Sequence, residues 1–459
     1  MAGTLPPDIA INAWAGSAAR TELAPRADRW GARRGLPASQ QPMDLGTPAD
    51  PLNWRSPDVG YGVLLAETTE GDTAKAIGRD APQAVQDLMK ARPDTVMLRW
   101  RPELDTRYIR RYFPDGTWQE PKVGLSVFGT GVGQLPRYVT IIGGPEEVPW
   151  AVQYAFEARH AVGRLPLDDA GLANYIEALL NNFPHQDVDM RAPLMWTVSH
   201  AGDITAEMRA VISTPLEVAL TDPQLPRFEH LVDGSATAAE LTARLTANTP
   251  ALVVTSSHGL AEGSQDVLRN GLGLPVDNSH APVALADLVA AMPSGAVWYS
   301  QACCSAGSDG LSKYGGLLAP GAVLDIVENV AALGSTVAPA VLTLLGREKP
   351  IRGFLGHVEP TFDWTLRDAE TGQGLGGMIV TGISTNLYAG QPLGYALHDY
   401  RSGVGVLHSD WQTLNDRLNN ADTTVREALT RTRLTALDRQ SLVLLGDPTA
   451  TLPDLASAP

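Results

Sequence analysis

Two residues of this sequence, His258 and Cys303, have the chemistry of a nucleophile and its acid–base partner. His258 ends the run Ala-Leu-Val-Val-Thr-Ser-Ser-His and precedes Gly259, and Cys303 ends the run Ala-Val-Trp-Tyr-Ser-Gln-Ala-Cys. A thiolate attacks a carbonyl carbon well, and an imidazole can activate the thiol and protonate the leaving group. Together, these residue types predict covalent catalysis of acyl transfer.

The elements that would position this pair are two buried strands. Each apolar run is short and lacks the alternation of a half-exposed strand, which is typical of a parallel sheet covered on both faces. The polar residue after such a strand lies at the carboxyl edge of the sheet, where open α/β sheets bind ligands. A helix predicted at residues 283–292 returns the chain for a parallel second strand. We therefore expect His258 and Cys303 to share one sheet edge.

Each residue taken alone has a plainer interpretation. Cysteine is among the most buried residue types, and a single His at a strand end is usually a hydrogen-bonded structural residue. The conjunction favours catalysis, because both residues end apolar runs and both are followed by small residues, which let a substrate backbone approach. A zinc site of His258, Cys303 and Cys304 is the rival chemistry, but adjacent cysteines lack the usual ligand spacing. Cys304 is predicted to be a core residue, on the side of the strand opposite Cys303.

Composition narrows the class of protein. The chain has 459 residues, of which 44% are hydrophobic and 19% charged, as in a soluble globular protein. A net charge of −16 argues against nucleic acid as a partner, because phosphate binding needs clustered Lys and Arg. The only two cysteines are adjacent, so we expect no disulfide framework. The first residues show no pattern of a secretory signal. The apolar stretch at 319–346 is interrupted by acidic residues, which excludes a spanning helix. We expect a cytoplasmic protein without a membrane partner.

Three regions are predicted along the chain. Residues 1–57 are rich in Pro, Gly and Ala and form an N-terminal arm, for which a regulatory prosegment is an alternative that the composition does not support. Residues 58–235 alternate strand and helix patterns and form an N-terminal α/β subdomain. Residues 236–459 form the catalytic subdomain. Within it, 336–343 is predicted as a strand interrupted by a proline, and 354–394 receives no assignment.

Several motifs resemble the gingipain-type (C25) branch of the caspase-like cysteine peptidases. Beside His258-Gly259 and Gln301-Ala302-Cys303, the chain contains Tyr-Val-Thr-Ile-Ile-Gly-Gly-Pro from position 138, Val-Gly-Arg-Leu-Pro from 162 and Leu-Leu-Gly-Asp-Pro from 444. The interval between His258 and Cys303 is close to the roughly 50 residues of caspases. These motifs together extend over most of the chain from residue 60 to residue 453.

The resemblance implies a caspase-hemoglobinase-like fold, with a mostly parallel sheet flanked by helices and two α/β subdomains. It also implies endopeptidase activity on a protein or peptide substrate, with no metal and no other cofactor in the chemistry. Gingipains are secreted, whereas no signal is found here. By analogy, the resemblance therefore favours an intracellular relative in a bacterial protease cascade, with a regulatory protein partner as an open alternative.

The expected mechanism uses few residues. Cys303 attacks the scissile carbonyl, His258 transfers the protons, and the backbone N–H groups of Gly259 and Cys303 stabilise the oxyanion. An acid in the substrate pocket would select Arg or Lys before the cut. The acidic chain favours such a basic residue. The candidate pocket residues are Asp168, Asp169, Asp309, Asp363 and Gln301, although each acid also fits a turn or a helix cap.

Two other functions compete with a peptidase. A scaffold or binding protein could keep the fold without turnover, and the presence of both His258 and Cys303 argues against it. An α/β-hydrolase requires a Gly-x-Ser-x-Gly nucleophile elbow, which the sequence lacks. His280, His357, His398 and His408 follow no strand with the required glycine, and we expect them to be structural.

Overall fold

A single twelve-stranded sheet organises the protein. The computed structural model describes residues 8–14, 19–25, 27–31, 49–184, 188–368 and 371–455. The strands are β1 Asp8–Ile11, β2 Ala13–Trp14, β3 Ala19–Glu22, β4 Tyr61–Ala66, β5 Val96–Trp100, β6 Arg110–Tyr112, β7 Trp118–Gln119, β8 Tyr138–Ile142, β9 Ala161–Leu165, β10 Leu194–Thr197, β11 Glu229–Val232, β12 Leu252–Ser256, β13 Gly259–Leu260, β14 Val297–Gln301, β15 Gly307–Ser308, β16 Thr336–Val337, β17 Gly353–His357 and β18 Leu442–Gly446.

Helices flank the sheet and connect its strands. They are α1 Ala27–Gly31, α2 Asp72–Ala76, α3 Gln83–Ala91, α4 Trp150–Glu157, α5 Asp169–Leu180, α6 Ile204–Met208, α7 Thr214–Leu220, α8 Ala238–Asn248, α9 Gln265–Gly271, α10 Leu285–Ala291, α11 Ala322–Ala331, α12 Pro339–Gly346, α13 Gly377–Thr381, α14 Leu393–Ala396, α15 His398–Asn419 and α16 Arg426–Gln440. The predicted α/β class, with a mostly parallel sheet flanked by helices, is confirmed.

The sheet consists of two parallel runs that point in opposite directions. Its strand order is β11-β10-β12-β14-β17-β18-β9-β8-β4-β5-β6-β7. The strands from β11 to β17 are parallel, β18 pairs antiparallel with β17, and the strands from β18 to β5 are again parallel. Strands β12 and β14 therefore end at one edge of the sheet, whereas β8 and β9 end at the other.

The predicted boundary at residue 235 stays a prediction. Strands β10 and β11 precede it in the chain but pair next to β12, so the sheet runs continuously across the boundary.

The prediction of a strand at 336–343 was wrong beyond its first residues. Only Thr336 and Val337 form a strand, and a helix begins at Pro339. Proline at the first helical position lacks only an N–H that the helix would not have bonded, so it starts a helix as readily as it interrupts a strand. In the region left unassigned, β17 supplies the fifth strand of the parallel run that contains β12 and β14.

Residues of the predicted arm form defined structure. Strands β1 and β3 pair antiparallel, β2 pairs parallel with β13, and α1 packs against α16. Ile9, Ile11 and Trp30 are at most 1% exposed and belong to the apolar cluster that contains Cys303 and Cys304. Other parts of the arm lie outside the described residues. Across the described residues, no helix combines the length and apolar character needed to cross a bilayer.

The pairing of β9 with β18, the first two strands of the second parallel run, depends on close backbone packing at Gly163. A Cβ atom at this position would lie 2.1 Å from the carbonyl oxygen of Gly446 in β18. We expect Gly163→Ala to lower the free energy of unfolding by about 1–3 kcal/mol, because the two strands must separate to admit a methyl group. Urea denaturation measures this loss. Gly144→Ala is the matched control, since no described atom lies within 4 Å of a Cβ there; equal losses in the two variants would contradict the prediction.

The buried carboxyl of Asp438 in α16 makes stability depend on pH. Burial raises the pKa of Asp438 to about 7. Because the folded state binds this proton at pH values where the unfolded chain has released it, wild-type stability falls as pH rises from about 4 to about 7. Relative to Asp438→Asn, the wild type should lose about 1.4 kcal/mol per pH unit in that window. Urea unfolding of both proteins at pH 5 and 7.5 measures the difference, which a pH-independent offset would contradict.

Candidate active site

The register of β12 and β14 brings His258 and Cys303 to the same level of one sheet edge. Ser256 pairs with Gln301 in the parallel ladder, and the N–H of Ser257 donates to the carbonyl of Gln301 at 3.2 Å. Continuing this register by two residues aligns His258 with Cys303. A Cβ on Gly259 would lie 2.1 Å from the carbonyl oxygen of Cys303, so only glycine permits this close approach of the two chains.

Cys303 lies in a tight turn at the end of β14. The N–H of Ser305 donates to the carbonyl of Ala302 at 3.4 Å, and Cys304 adopts a left-handed backbone with φ of 55°. A non-glycine residue in this region is uncommon and is often found at functional sites. The turn holds the backbone of Cys303 next to the His258-Gly259 chain.

Cys304 is the inert member of the cysteine pair. A hydrogen bond with Cys303, burial and nearby negative charge raise the pKa of the Cys304 thiol well above its ordinary value. Both cysteines are buried and free of disulfides. The expectation that their side chains point to opposite sides was wrong, because the turn brings the two sulfur atoms into contact. Cys304 therefore stays a neutral thiol next to Cys303.

Asp203 completes the site, and the sequence analysis missed it. Its Oδ2 lies 2.8 Å from Nε2 of His258, and its Oδ1 accepts from the N–H of Thr205 at the start of α6. Burial alone would raise the pKa of Asp203, but the hydrogen bonds from His258 and Thr205 lower it. The sequence shows that Asp203 follows a buried apolar strand, β10, whereas the position of β10 next to β12 is known only from the structure.

The carboxylate of Asp203 determines which imidazole nitrogen carries the proton. An ionised carboxylate only accepts, so Nε2 of His258 donates to it. Nδ1 of His258 is then the basic nitrogen of the neutral ring, and it has no hydrogen-bond partner among the described residues. An imidazole fixed in one tautomer, with its other nitrogen unengaged, is the arrangement of a general base.

The N-terminal segment 8–14 covers the pair. His258 is 1% exposed and Cys303 is 0% exposed. The N–H of Gly259, predicted to stabilise an oxyanion, donates to the carbonyl oxygen of Asn12 at 3.3 Å. The ring of Trp14 lies 5.5 Å from the ring of His258 and stacks on His280 at 4.0 Å. The prediction for His280 missed this position beside the site.

Of the candidate pocket acids, two lie away from the site. Asp168 and Asp169 follow β9, which ends at the opposite edge of the sheet from β12 and β14. Asp168 caps α5 by accepting from the N–H of Gly171, and Asp169 is the first residue of that helix. Their assignment to the substrate pocket was therefore wrong, because the strand direction reverses between β17 and β18.

The remaining candidates lie in the chain from the last residue of β14 to the start of β18, and each has an ion-pair or hydrogen-bond partner. Asp309 pairs with Lys313 at 3.3 Å and accepts from Ser335, and Asp363 pairs with Arg20 at 3.3 Å. Burial raises the pKa of Asp363. Gln301 is buried, accepts from the hydroxyl of Ser256 at 3.0 Å and lines a cavity of about 40 Å³.

A second buried acid lies beside the cysteine turn. The backbone carbonyl of Glu359 accepts from the N–H of Cys304 at 3.4 Å, and burial raises the pKa of the Glu359 carboxyl to about 7. In the part of the chain that the structure describes, no group of three or more His, Cys, Asp or Glu side chains is arranged to hold a metal ion.

Comparisons with known proteins add one loose likeness. No protein-family model matches the chain, and neither does any curated protein. Among solved structures, the chain is similar to one described as "Structure of Protease", with a TM-score of 0.46 and 9% identity over 85% of this chain and 78% of that chain. A likeness this loose assigns neither a family nor an activity.

The hydrogen bond between Asp203 and His258 predicts a pH-dependent defect in Asp203→Asn. An amide keeps the size of the side chain but no longer stabilises the imidazolium form, so we expect kcat/KM for peptide hydrolysis to fall by about 10²-fold. The acidic limb of the pH profile, along which the proposed base loses its proton, should also shift to lower pH. Asp266→Asn, at an exposed carboxylate in the first turn of α9, is the matched control. A uniform loss with an unchanged pH profile would assign Asp203 a purely structural role.

Proposed function

We propose that the protein is a cysteine endopeptidase in which Cys303 is the nucleophile and His258 transfers the protons. The observation that carries this proposal is the alignment of His258 with Cys303 at the carboxyl ends of adjacent parallel strands. Asp203 supports it, because a carboxylate on Nε2 leaves Nδ1 of the imidazole as the base. The types of these side chains and their common edge fit acyl transfer better than a structural role.

In the proposed reaction, Nδ1 of His258 takes the proton of the Cys303 thiol. The resulting thiolate attacks the carbonyl carbon of the scissile peptide bond. His258 then protonates the leaving nitrogen, and a thioester to Cys303 remains. Water that transfers a proton to His258 hydrolyses the thioester and regenerates the thiol. Asp203 stabilises the imidazolium that forms in each half of this sequence.

Stabilisation of the oxyanion is assigned to the N–H groups of Gly259 and Cys303. Support comes from Gly259, whose N–H already donates to a backbone carbonyl oxygen, that of Asn12. One such donor is worth about 10²–10³ in rate. The close packing of Gly259 against the backbone of Cys303 keeps this donor next to that residue.

The preference for a basic residue before the cut has little support among the candidate acids. Asp168 and Asp169 lie at the other edge of the sheet, and both Asp309 and Asp363 are paired with cations. A role in a bacterial intracellular cascade, and a regulatory partner, stay predictions from the resemblance alone.

A catalytically inactive scaffold is the competing function. The burial of His258 and Cys303 favours it, because a sealed pair cannot meet a substrate. The covering segment is attached at the N-terminal side of the chain and is distinct from the sheet that carries the pair, so its displacement would expose both groups. A reactivity measurement separates the two functions.

Labelling with peptidyl chloromethylketones tests the proposal. We expect an adduct on Cys303 and not on Cys304, because the pKa of the Cys304 thiol is raised and its thiolate is scarce. Mass mapping of the wild type and of Ile11→Asp measures the adduct; the variant places a charge at a residue that is 0% exposed and should release segment 8–14. Labelling should be faster in the variant.

Cys303→Ala is the control and should neither label nor hydrolyse peptides, whereas Cys304→Ala should keep both properties. Absence of an adduct in Ile11→Asp with every peptidyl probe would favour the scaffold.

A further inference from the structure

Residues 9–12 lie in the candidate active site as an extended chain with regular backbone pairing. Ile11 forms an antiparallel bridge with Phe362, and the N–H of Asn12 donates to the carbonyl of Thr361 at 3.0 Å. Two residues earlier, the N–H of Ala10 donates to the side chain of Asp363 at 3.3 Å. Main-chain hydrogen bonds to an extended peptide are the mode by which sheet edges bind peptide ligands.

The carbonyl oxygen of Asn12 contacts the backbone of the His258-Gly259 segment. It accepts from the N–H of Gly259, the donor assigned to the oxyanion. Beyond this carbonyl the chain changes partner, and Ala13 and Trp14 pair parallel with Gly259 and Leu260. The ring of Trp14, two residues beyond this carbonyl, lies 5.5 Å from the ring of His258. The chain thus changes from pairing with Thr361 and Phe362 to pairing with Gly259 and Leu260 at the Asn12–Ala13 bond.

The side chain of Asn12 is enclosed. The residue is 0% exposed, and neither its Oδ1 nor its Nδ2 finds a hydrogen-bond partner among the described residues. Buried polar groups without partners are rare in folded proteins. A neutral carboxamide thus occupies the enclosed space next to the catalytic pair, while Asp309 and Asp363 are paired with Lys313 and Arg20.

Side-chain contacts hold the segment in place on both sides of the Asn12–Ala13 bond. Ile9, Ile11 and Ala13 are fully buried in the apolar cluster of Cys303, so displacement of the segment would return apolar surface to water. Arg20 pairs with Asp8 at 2.8 Å and with Asp363 at 3.3 Å. These contacts orient the backbone so that Asn12 meets Gly259 and Thr361.

We propose that residues 9–14 are bound as the enzyme's own substrate, that Asn12–Ala13 is a self-cleavage site, and that the pocket accepts the neutral asparagine before the cut in preference to arginine. This inference rests on the proposed cysteine peptidase function. Cys303 attacks the carbonyl carbon of Asn12, the bond to the nitrogen of Ala13 breaks, and His258 protonates that nitrogen. Water hydrolyses the thioester, which leaves residues 1–12 with a new carboxylate and a chain that begins at Ala13.

Time-resolved intact-mass spectrometry of the purified full chain tests the cleavage site. The expected result is loss of residues 1–12, with Ala13 as the new N-terminus, in the wild type but not in Cys303→Ala. Asn12→Arg should slow this cleavage at least about tenfold, because a larger, charged side chain would have to leave water for a position at which Asn12 is 0% exposed. Asn420→Arg changes an exposed asparagine far along the chain and is the matched control, which should be cleaved at the wild-type rate.

A second measurement tests the pocket without relying on how Asn12 variants dock. Coumarin amides of Ile-Ala-Ile-Asn and Ile-Ala-Ile-Arg are supplied to Ile11→Asp, and kcat/KM should be at least about tenfold higher for the asparagine peptide. Equal or better hydrolysis of the arginine peptide, or a wild-type chain that stays uncut after Asn12 while hydrolysing peptides, would overturn the inference and leave the peptidase function standing. Failure of Cys303 to react with any peptide or probe would instead remove the proposed function itself.

Discussion

The parallel pairing of β12 with β14 is the constraint on which the candidate site depends. Side chains alternate between the two faces of a strand, so a slip of one residue in this ladder would turn His258 away from Cys303. The register is held because both strands are fully buried and present apolar side chains to both layers of the protein. The close contact of Gly259 with the carbonyl of Cys303 extends the same alignment beyond the ladder. The geometry of the site thus follows from sheet packing.

The reversal of strand direction between β17 and β18 separates that edge from the other motifs. Arg164, in the Val-Gly-Arg-Leu-Pro motif, is fully buried and donates to the carbonyls of Gly143 and Val148. Asp447, in the Leu-Leu-Gly-Asp-Pro motif, accepts from Tyr61 and Thr140. Both motifs hold together the middle and the second run of the sheet, on the side away from His258. The segments that carry the family resemblance therefore include structural ones as well as the candidate catalytic ones.

The two buried strands before His258 and Cys303 could be predicted because each leaves a local pattern in the sequence. The unbroken apolar runs before His258 and Cys303 indicated buried strands, and both strands are present. Asp203 was missed because its role depends on the sheet order, in which β10 lies next to β12, and no local signal encodes that order. The pocket prediction for Asp168 failed for the same reason, since strand direction at β9 is a property of the whole sheet. Pro339 shows where prediction from local sequence ends, because proline is compatible with both the end of a strand and the start of a helix.

Segment 8–14 belongs to the same chain as the candidate site that it covers, which changes how any other peptide would reach His258 and Cys303. A tethered occupant acts at an effective concentration that is set by the connecting chain and is of order millimolar for short flexible linkers. A diffusing peptide of equal intrinsic affinity would have to approach that concentration before it displaced the segment. Access to the candidate site in the intact chain is therefore decided by competition within one molecule, and dilution of the protein does not relieve it.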